Sequence, residues 1–153
     1  MRPLLTVLIF LLMTARGHAF DTPEALVNAV YVPYGVDTSN PDKDCGGQTG
    51  PDRGFRYTDK QGDRFIEPKL LRASRTDKDL DADPFIQGQD WCIVGWKQTT
   101  LNSSADKARV LVEFRNFDTQ TRLTYDLVRS RNGWLIADLV SSDGSLRKSY
   151  KLK

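Results

Sequence analysis

The sequence of 153 residues contains a single histidine, His18. It lies in an N-terminal segment that has the features of a cleavable signal, so we expect the mature chain to contain no histidine. Such a chain lacks the usual general base near neutral pH, the Ser-His and Cys-His nucleophile pairs, and the imidazole ligands of a zinc site. These classes of active site are therefore excluded.

Cysteine is also scarce, with only Cys45 and Cys92, and these do not form a C-x-x-C motif. In an oxidising compartment an even pair most simply forms one disulfide. Closing the loop between them would stabilise the fold by roughly 4 kcal/mol in the chain-entropy model. The alternative is two free thiols, for which the mature chain offers no activating histidine. We expect a Cys45–Cys92 disulfide.

Long apolar runs are absent except near the N-terminus. There Arg2 precedes the almost uncharged run from Pro3 to Ala15, and Gly17-His18-Ala19 ends in a small residue. This run of about thirteen residues is shorter than the roughly twenty that span a bilayer, so it favours a secretory signal over a membrane helix. We expect cleavage after Ala19 and a periplasmic or secreted domain of residues 20–153. Because no cysteine lies at this point, we expect no lipid anchor.

The sequence lacks an excess of either charge. It has 22 basic and 20 acidic residues, and removal of Arg2 and Arg16 with the signal leaves 20 of each. A nucleic-acid or anionic-membrane partner is therefore not expected, since a face for either needs a basic excess. The charges are unevenly distributed, because residues 20–90 carry 14 acidic and 9 basic residues. We interpret this as an acidic front that complements a basic second half.

No cofactor motif is present, and one acidic pattern raises the question of a metal. Asp77, Asp79, Asp81 and Asp83 alternate along the chain as in a calcium loop. The glycine and the distal bidentate glutamate of such loops are missing. We interpret the run as solvated surface and expect neither a metal nor a cofactor.

Two helices are predicted near the start of the domain. Thr22-Pro23-Glu24 has the capping residue, the proline and the acidic residue that favour a helix start. Pro33 disfavours helical geometry at the preceding residue, so the helix should end near Val32. A second helix is predicted from Arg64 to Ala73, with a late start or a bend at Pro68.

A long loop rich in glycine and proline is predicted between the helices, from Gly35 to Gly62. Loops of this length in compact domains are usually functional or flexible. Cys45 would tether the loop through the disulfide, and Phe55, Tyr57 and Phe65 would anchor its far end in the core.

Four strands follow Trp91, where the apolar pattern changes to period two. The predicted strands are Ile93 to Thr100, Ala108 to Phe114, Leu123 to Arg129 and Trp134 to Val140. Asn132-Gly133 predicts a hairpin turn, since both residues tolerate positive φ angles, and Asp118-Thr119-Gln120 separates the second and third strands. One face of the sheet packs and the other is mixed, so we expect helices on one side only.

Residues 81–96 combine carboxylates, amides and tryptophans. Asp83 precedes Pro84, so its carboxylate can accept from the amides of a short turn. Gln89 and Asp90 can similarly hold the chain as it enters the first strand. We then expect the three aromatic side chains of this stretch to belong to the core: Phe85, Trp91 and Trp96.

Two motifs carry a resemblance. Asp83-Pro84-Phe85 with Gln89-Asp90, followed by Gly133-Trp134-Leu135-Ile136-Ala137-Asp138, resembles a bacterial secreted family known only as a domain of unknown function. The resemblance places that family within the nuclear-transport-factor-like (cystatin-like) superfamily. The resemblance covers about residues 20–147. It implies an α+β cone, in which N-terminal helices pack on a curved four-stranded antiparallel sheet, and it implies no activity.

Two functions remain open. The first is a non-catalytic binding module for a small apolar ligand or a protein partner, with Asp83, Gln89, Asp90 and Trp91 as the candidate contacts. The second is a histidine-free acid/base enzyme, because some enzymes of the cone fold isomerise or dehydrate small molecules with an Asp and a Tyr. Such chemistry needs one carboxylate with a raised pKa and another left ionised. The candidates for it are Asp83, Asp90, Asp138, Tyr31 and Tyr125.

Overall fold

The protein is an α+β structure in which a few helices accompany one antiparallel sheet. The computed structural model describes residues 20–37, 40, 54–76 and 80–153. The helices are α1 (Pro23–Tyr31), α2 (Pro68–Thr76) and α3 (Leu146–Ser149), and the strands are β1 (Ile93–Ser103), β2 (Lys107–Asn116), β3 (Thr119–Ser130), β4 (Gly133–Ser141) and β5 (Gly144–Ser145). Short 3₁₀ helices occupy Val32–Tyr34 and Lys60–Arg64.

The sheet is a meander of five strands in the order β1-β2-β3-β4-β5. The prediction of four strands is therefore wrong by one. The additional strand, β5, has two residues and pairs with the end of β4. A strand this short carries no period-two pattern, so it could not be predicted from the sequence. Among the described residues, no helix is long and apolar enough to cross a membrane.

Helix α1 begins and ends as predicted. The Thr22 hydroxyl oxygen accepts a hydrogen bond from the amide of Ala25 at 3.1 Å, and Pro23 occupies the first turn. The chain then tightens into the Val32–Tyr34 3₁₀ helix, which ends at Gly35 with φ 77°. The buried side chains of α1 lie on one face, and they pack in the core beside the sheet.

Helix α2 has the late start that Pro68 predicted. The Lys60–Arg64 3₁₀ helix precedes it, and α2 extends beyond the predicted end at Ala73 to Thr76. Proline lacks an amide proton and fits only the first turn of a helix, so α2 begins at Pro68. The Glu67 carboxylate accepts from the amide of Leu70 at 3.0 Å and satisfies one free donor of that first turn.

Buried and more exposed side chains alternate along β2 and β3 as predicted. All four predicted strands are longer than predicted. On one face of β2 and β3 the side chains are buried: Val110, Val112, Phe114, Leu123, Tyr125 and Leu127. The β2–β3 turn consists of only Phe117 and Asp118, between the paired residues Asn116 and Thr119. Phe117 has φ 50°, as tight hairpins require. The predicted separator Asp118-Thr119-Gln120 therefore lies mostly within β3.

The β3–β4 hairpin forms where Asn132-Gly133 predicted one, but for a different reason. Ser130 pairs with Gly133, so the turn residues are Arg131 and Asn132, and only Gly133 has a positive φ, 115°. A Cβ at Gly133 would lie 2.6 Å from the carbonyl oxygen of Phe20. Glycine is therefore needed here both for its φ angle and for the close approach of the N-terminal backbone.

Candidate functional site

The stretch from Asp83 to Gly88 is a tight corner. The Asp83 amide donates to the Gly88 carbonyl at 2.9 Å, and Asp83 Oδ1 accepts from the Phe85 amide at 2.9 Å. These bonds turn Phe85 and Ile86 into the core, where both are fully buried. The prediction that Asp83 supports a turn beginning at Pro84 is confirmed.

The residues that follow connect the corner to β1. The Gln89 side chain donates to the Asp81 carbonyl at 3.0 Å, and Asp90 is exposed. Trp91 is buried, and its indole nitrogen donates to the Tyr34 carbonyl at 3.0 Å. Phe85, Trp91 and Trp96 all belong to the core, as predicted.

Asn116, at the end of β2, holds this connection in place and was not identified from the sequence. Its Oδ1 accepts from the Cys92 amide at 2.8 Å, while its Nδ2 donates to the carbonyls of Ile86 and Asp90 at 3.2 Å each. An asparagine before a turn gives no sign of such a role. Cys45 lies outside the described residues, so the Cys45–Cys92 disulfide stays a prediction.

Tyr34 is the second residue that sequence reasoning missed. Its hydroxyl donates to Asp83 Oδ2 at 2.5 Å. Burial raises the pKa of Asp83 to about 6, although the hydrogen bonds from Tyr34 and from the Phe85 amide act in the opposite direction. Burial and the Asp83 charge raise the pKa of Tyr34 above its ordinary value. The signal available was the spacing of three from Tyr31, which places both rings on one side of the helix.

Tyr31 and Tyr125, the two tyrosines considered for catalysis, are fully buried. The Tyr125 hydroxyl donates to the Tyr31 hydroxyl at 2.8 Å, and the Tyr31 hydroxyl donates to the Phe85 carbonyl at 3.1 Å. Burial raises the pKa of both side chains. This chain of hydroxyls joins β3, α1 and the corner inside the core, where neither tyrosine meets solvent.

Asp138 lies on β4, outside the Asp83 corner, and its carboxylate has a structural role. Its Oδ1 accepts from the Arg147 amide at 2.9 Å, and its Oδ2 accepts from the Ser145 hydroxyl at 2.5 Å. The carboxylate thus joins β4 to the start of α3. Of the three candidate aspartates, only Asp83 is hydrogen-bonded to a tyrosine.

Two clefts lie on either side of the segment Leu80–Pro84, which lines both. The larger, about 520 Å³, is also lined by four aromatic residues and an amide: Phe55, Tyr57, Trp91, Tyr150 and Gln89. The smaller, about 360 Å³, lies between this segment and the residues around Leu139 and Leu146. Asp83 lines both clefts.

Two of the four alternating aspartates considered for a calcium site, Asp77 and Asp79, lie outside the described residues. Within the described ranges, no three His, Cys, Asp or Glu side chains come together as a ligand set.

The arrangement provides an aromatic-lined cleft with two aspartates, Asp81 and Asp83, at its wall. The two oxygens of Asp83 already accept from the protein, so the side chain is held in one orientation. Comparison of the chain with protein-family models, with curated proteins and with solved structures gives no match in any of the three.

Proposed function

We propose that the protein is a non-catalytic binding module, exported by its N-terminal signal, that holds a small apolar ligand in the larger cleft. In this proposal the α+β fold is a cone of the nuclear-transport-factor-like type, and the Cys45–Cys92 disulfide fastens the long loop. The observation that carries the proposal is the cleft itself. Its volume of about 520 Å³ and its aromatic lining are typical of small-molecule sites.

The chemistry of the cleft favours binding over turnover. Phe55, Tyr57 and Trp91 supply apolar surface, and polar lining residues, Gln89 among them, can orient a ligand. The candidate catalytic groups do not converge, because Tyr31 and Tyr125 are sealed in the core and Asp138 binds the start of α3.

A protein partner on the open sheet face is less favoured, because charges on that face neutralise one another. The Glu113 carboxylate lies 3.2 Å from Lys97 and 3.4 Å from Arg122, and Arg109 contacts Asp126 at 2.5 Å. A face whose charges are already paired offers less electrostatic attraction to a partner.

A tryptophan placed at the cleft rim tests the proposal. Thr58 is exposed and lines the larger cleft, so Thr58→Trp fills the cleft without disturbing the core. Thr99→Trp, at an exposed position on β1, is the matched control. The probe is Nile red, a neutral apolar dye, followed by its fluorescence. We expect saturable binding to the wild type and the control, and at least tenfold weaker binding to Thr58→Trp.

Two results would contradict the proposal. One is the absence of saturable binding to the wild type. The other is equal affinity of the dye for Thr58→Trp and Thr99→Trp, which would place binding elsewhere on the molecule.

A second candidate function is acid/base catalysis by Asp83, and one observation favours it. Burial raises the pKa of this cleft-lining carboxyl to about 6, within the range useful to a general base. Tyr34, rather than Tyr31 or Tyr125, would be the hydrogen-bond partner. Asp83→Asn separates the two functions, because a binding module keeps its affinity for the neutral dye and an enzyme loses turnover of its substrate.

A further inference from the structure

Among the described residues, one side-chain hydrogen bond joins the wall between the two clefts to another element. Residues 80–82 are exposed. Within the described ranges, the hydrogen bond from Tyr34 to Asp83 Oδ2 joins residues 80–84 to another element. The other hydrogen bonds of this segment are with residues 85–89 of the same corner. The position of the wall therefore depends on Asp83.

No cation compensates the Asp83 charge in the described part of the chain. Its hydrogen-bond partners are Tyr34 and the Phe85 amide. Other titratable or charged groups face Asp83 or line its clefts. From the helical segments and the stretch after Gly54 these are Tyr31, Tyr34, Arg56 and Tyr57. The others are Asp81 of the wall itself, Tyr125 of β3, Asp143 of the β4–β5 turn and Tyr150 near the C-terminus. Arg56 is at the exposed rim and does not contribute to the pKa shift of Asp83.

We propose that Asp83 is a proton-operated clamp: protonation of its carboxyl keeps the Leu80–Pro84 wall closed against Tyr34, and ionisation increases the fraction of molecules in which the wall opens and the two clefts widen. The clamp rests on the proposed function for its biological use, because it regulates access to the same cleft. Its operation is measurable without any ligand.

The direction of the pH effect on wall opening follows from the state in which the ionised Asp83 carboxylate is better solvated. In the closed wall the ionised carboxylate is half-buried, with no cation beside it in the described part of the chain, whereas in the open wall water surrounds it. An exposed aspartate has a pKa of about 3.9, while burial raises the pKa of Asp83 to about 6. The population of the open wall should therefore rise between these two pH values and level off above the higher one. The difference sets a ceiling of about 100-fold.

Native-state hydrogen exchange tests the clamp at the amides of Phe85 and Ile86. The first donates to the Asp83 carboxylate and the second to the Asp83 carbonyl, at 3.3 Å. Exchange of the mature chain is followed by NMR from pH 4 to pH 7.5 and corrected for the intrinsic pH dependence. We expect the opening constant of both amides to rise by up to about 100-fold between pH 4 and 6 and then to remain level.

Two variants isolate the carboxyl group. Asp83→Asn cannot ionise, and its amide can still accept from Phe85 and donate to Tyr34, so its opening constant should not change with pH. Asp138→Asn alters a half-buried aspartate far along the chain, in a different hydrogen-bond network, and should keep the wild-type profile.

The outcomes separate the clamp from the binding function. A flat wild-type profile overturns the clamp, and so does an equal rise in Asp83→Asn. If Asp83→Asn does not fold, the pH profile of the opening constant in the wild type is sufficient to test the clamp. A clear rise in opening together with absent dye binding would overturn the proposed function and leave the clamp in place.

Discussion

The Tyr34 hydroxyl lies 2.5 Å from Asp83 Oδ2, and this contact joins the end of the first helical segment to the wall of both clefts. The other carboxylate oxygen receives the Phe85 amide. One side chain thus supports the corner, lines the clefts and remains without a cation among the described residues. The stability and the pH behaviour of this region should both depend on it.

The stability contribution of Asp83 should fall as pH rises. Its pKa in the folded protein, about 6, is above the unfolded value of about 3.9. The contribution is therefore complete below pH 4 and is lost as pH rises through 6. Relative to Asp83→Asn, the wild type should lose about 2 kcal/mol of unfolding free energy between pH 4 and 7. Urea denaturation at both pH values measures this, and the exposed Asp90→Asn should track the wild type.

Removal of the Tyr34 hydroxyl should reduce the unfolding free energy more at pH 7 than at pH 4. Tyr34→Phe takes away a donor that stabilises the ionised Asp83, so we expect a loss of about 2 kcal/mol at pH 7 and a smaller loss at pH 4. Tyr57→Phe is the control, since the Tyr57 hydroxyl shares its hydrogen bond with Tyr150. Equal losses for Tyr34→Phe at the two pH values would show that the hydroxyl does not act through the charge.

Asn116 should be among the most sensitive polar positions in the described chain. Asn116→Ala leaves the Cys92 amide and two carbonyls without their partner in a buried site. We expect a loss of about 3 kcal/mol in unfolding free energy by urea denaturation. Asn132→Ala, at an exposed turn position, should change stability by less than about 0.5 kcal/mol. Similar small effects at both positions would contradict the role given to Asn116.

Asp138 should stabilise the C-terminal helix locally. Asp138→Ala removes the acceptor of the Arg147 amide and of the Ser145 hydroxyl. We expect about 1 to 2 kcal/mol less stability and faster hydrogen exchange at Arg147. The exposed Asp143→Ala should leave that amide protected, and equal exchange in the two variants would speak against the role of Asp138.

Much of the fold was predictable because it depends on local patterns. Thr22-Pro23 fixes the start of α1, and Val110, Val112 and Phe114 alternate inward, so both elements follow from backbone geometry and hydrophobic period. The β5 strand was not predictable, because two residues carry no period. The turn at Phe117 has no glycine, so its positive φ left no trace in the sequence.

The candidate site was predictable only in part. Asp83 was identified because a carboxylate before a proline has a local use in a turn. Tyr34, which donates to Asp83, and Asn116 are each separated by at least 24 residues from their hydrogen-bond partners. Only the tertiary fold therefore brings these groups together. Conversely, Asp138 and Tyr125 had the right chemistry for catalysis, and their placement gives them structural contacts instead.

The most direct test of this account is an NMR titration of the Asp83 carboxyl carbon in the wild-type mature chain. We predict a pKa near 6, well above the value of about 3.9 of an ordinary exposed aspartate, because the carboxyl is half-buried against Tyr34 with no compensating cation among the described residues. A pKa of about 4 would contradict the account, because it would mean that Asp83 is solvated or paired with a cation and does not control the wall of the clefts.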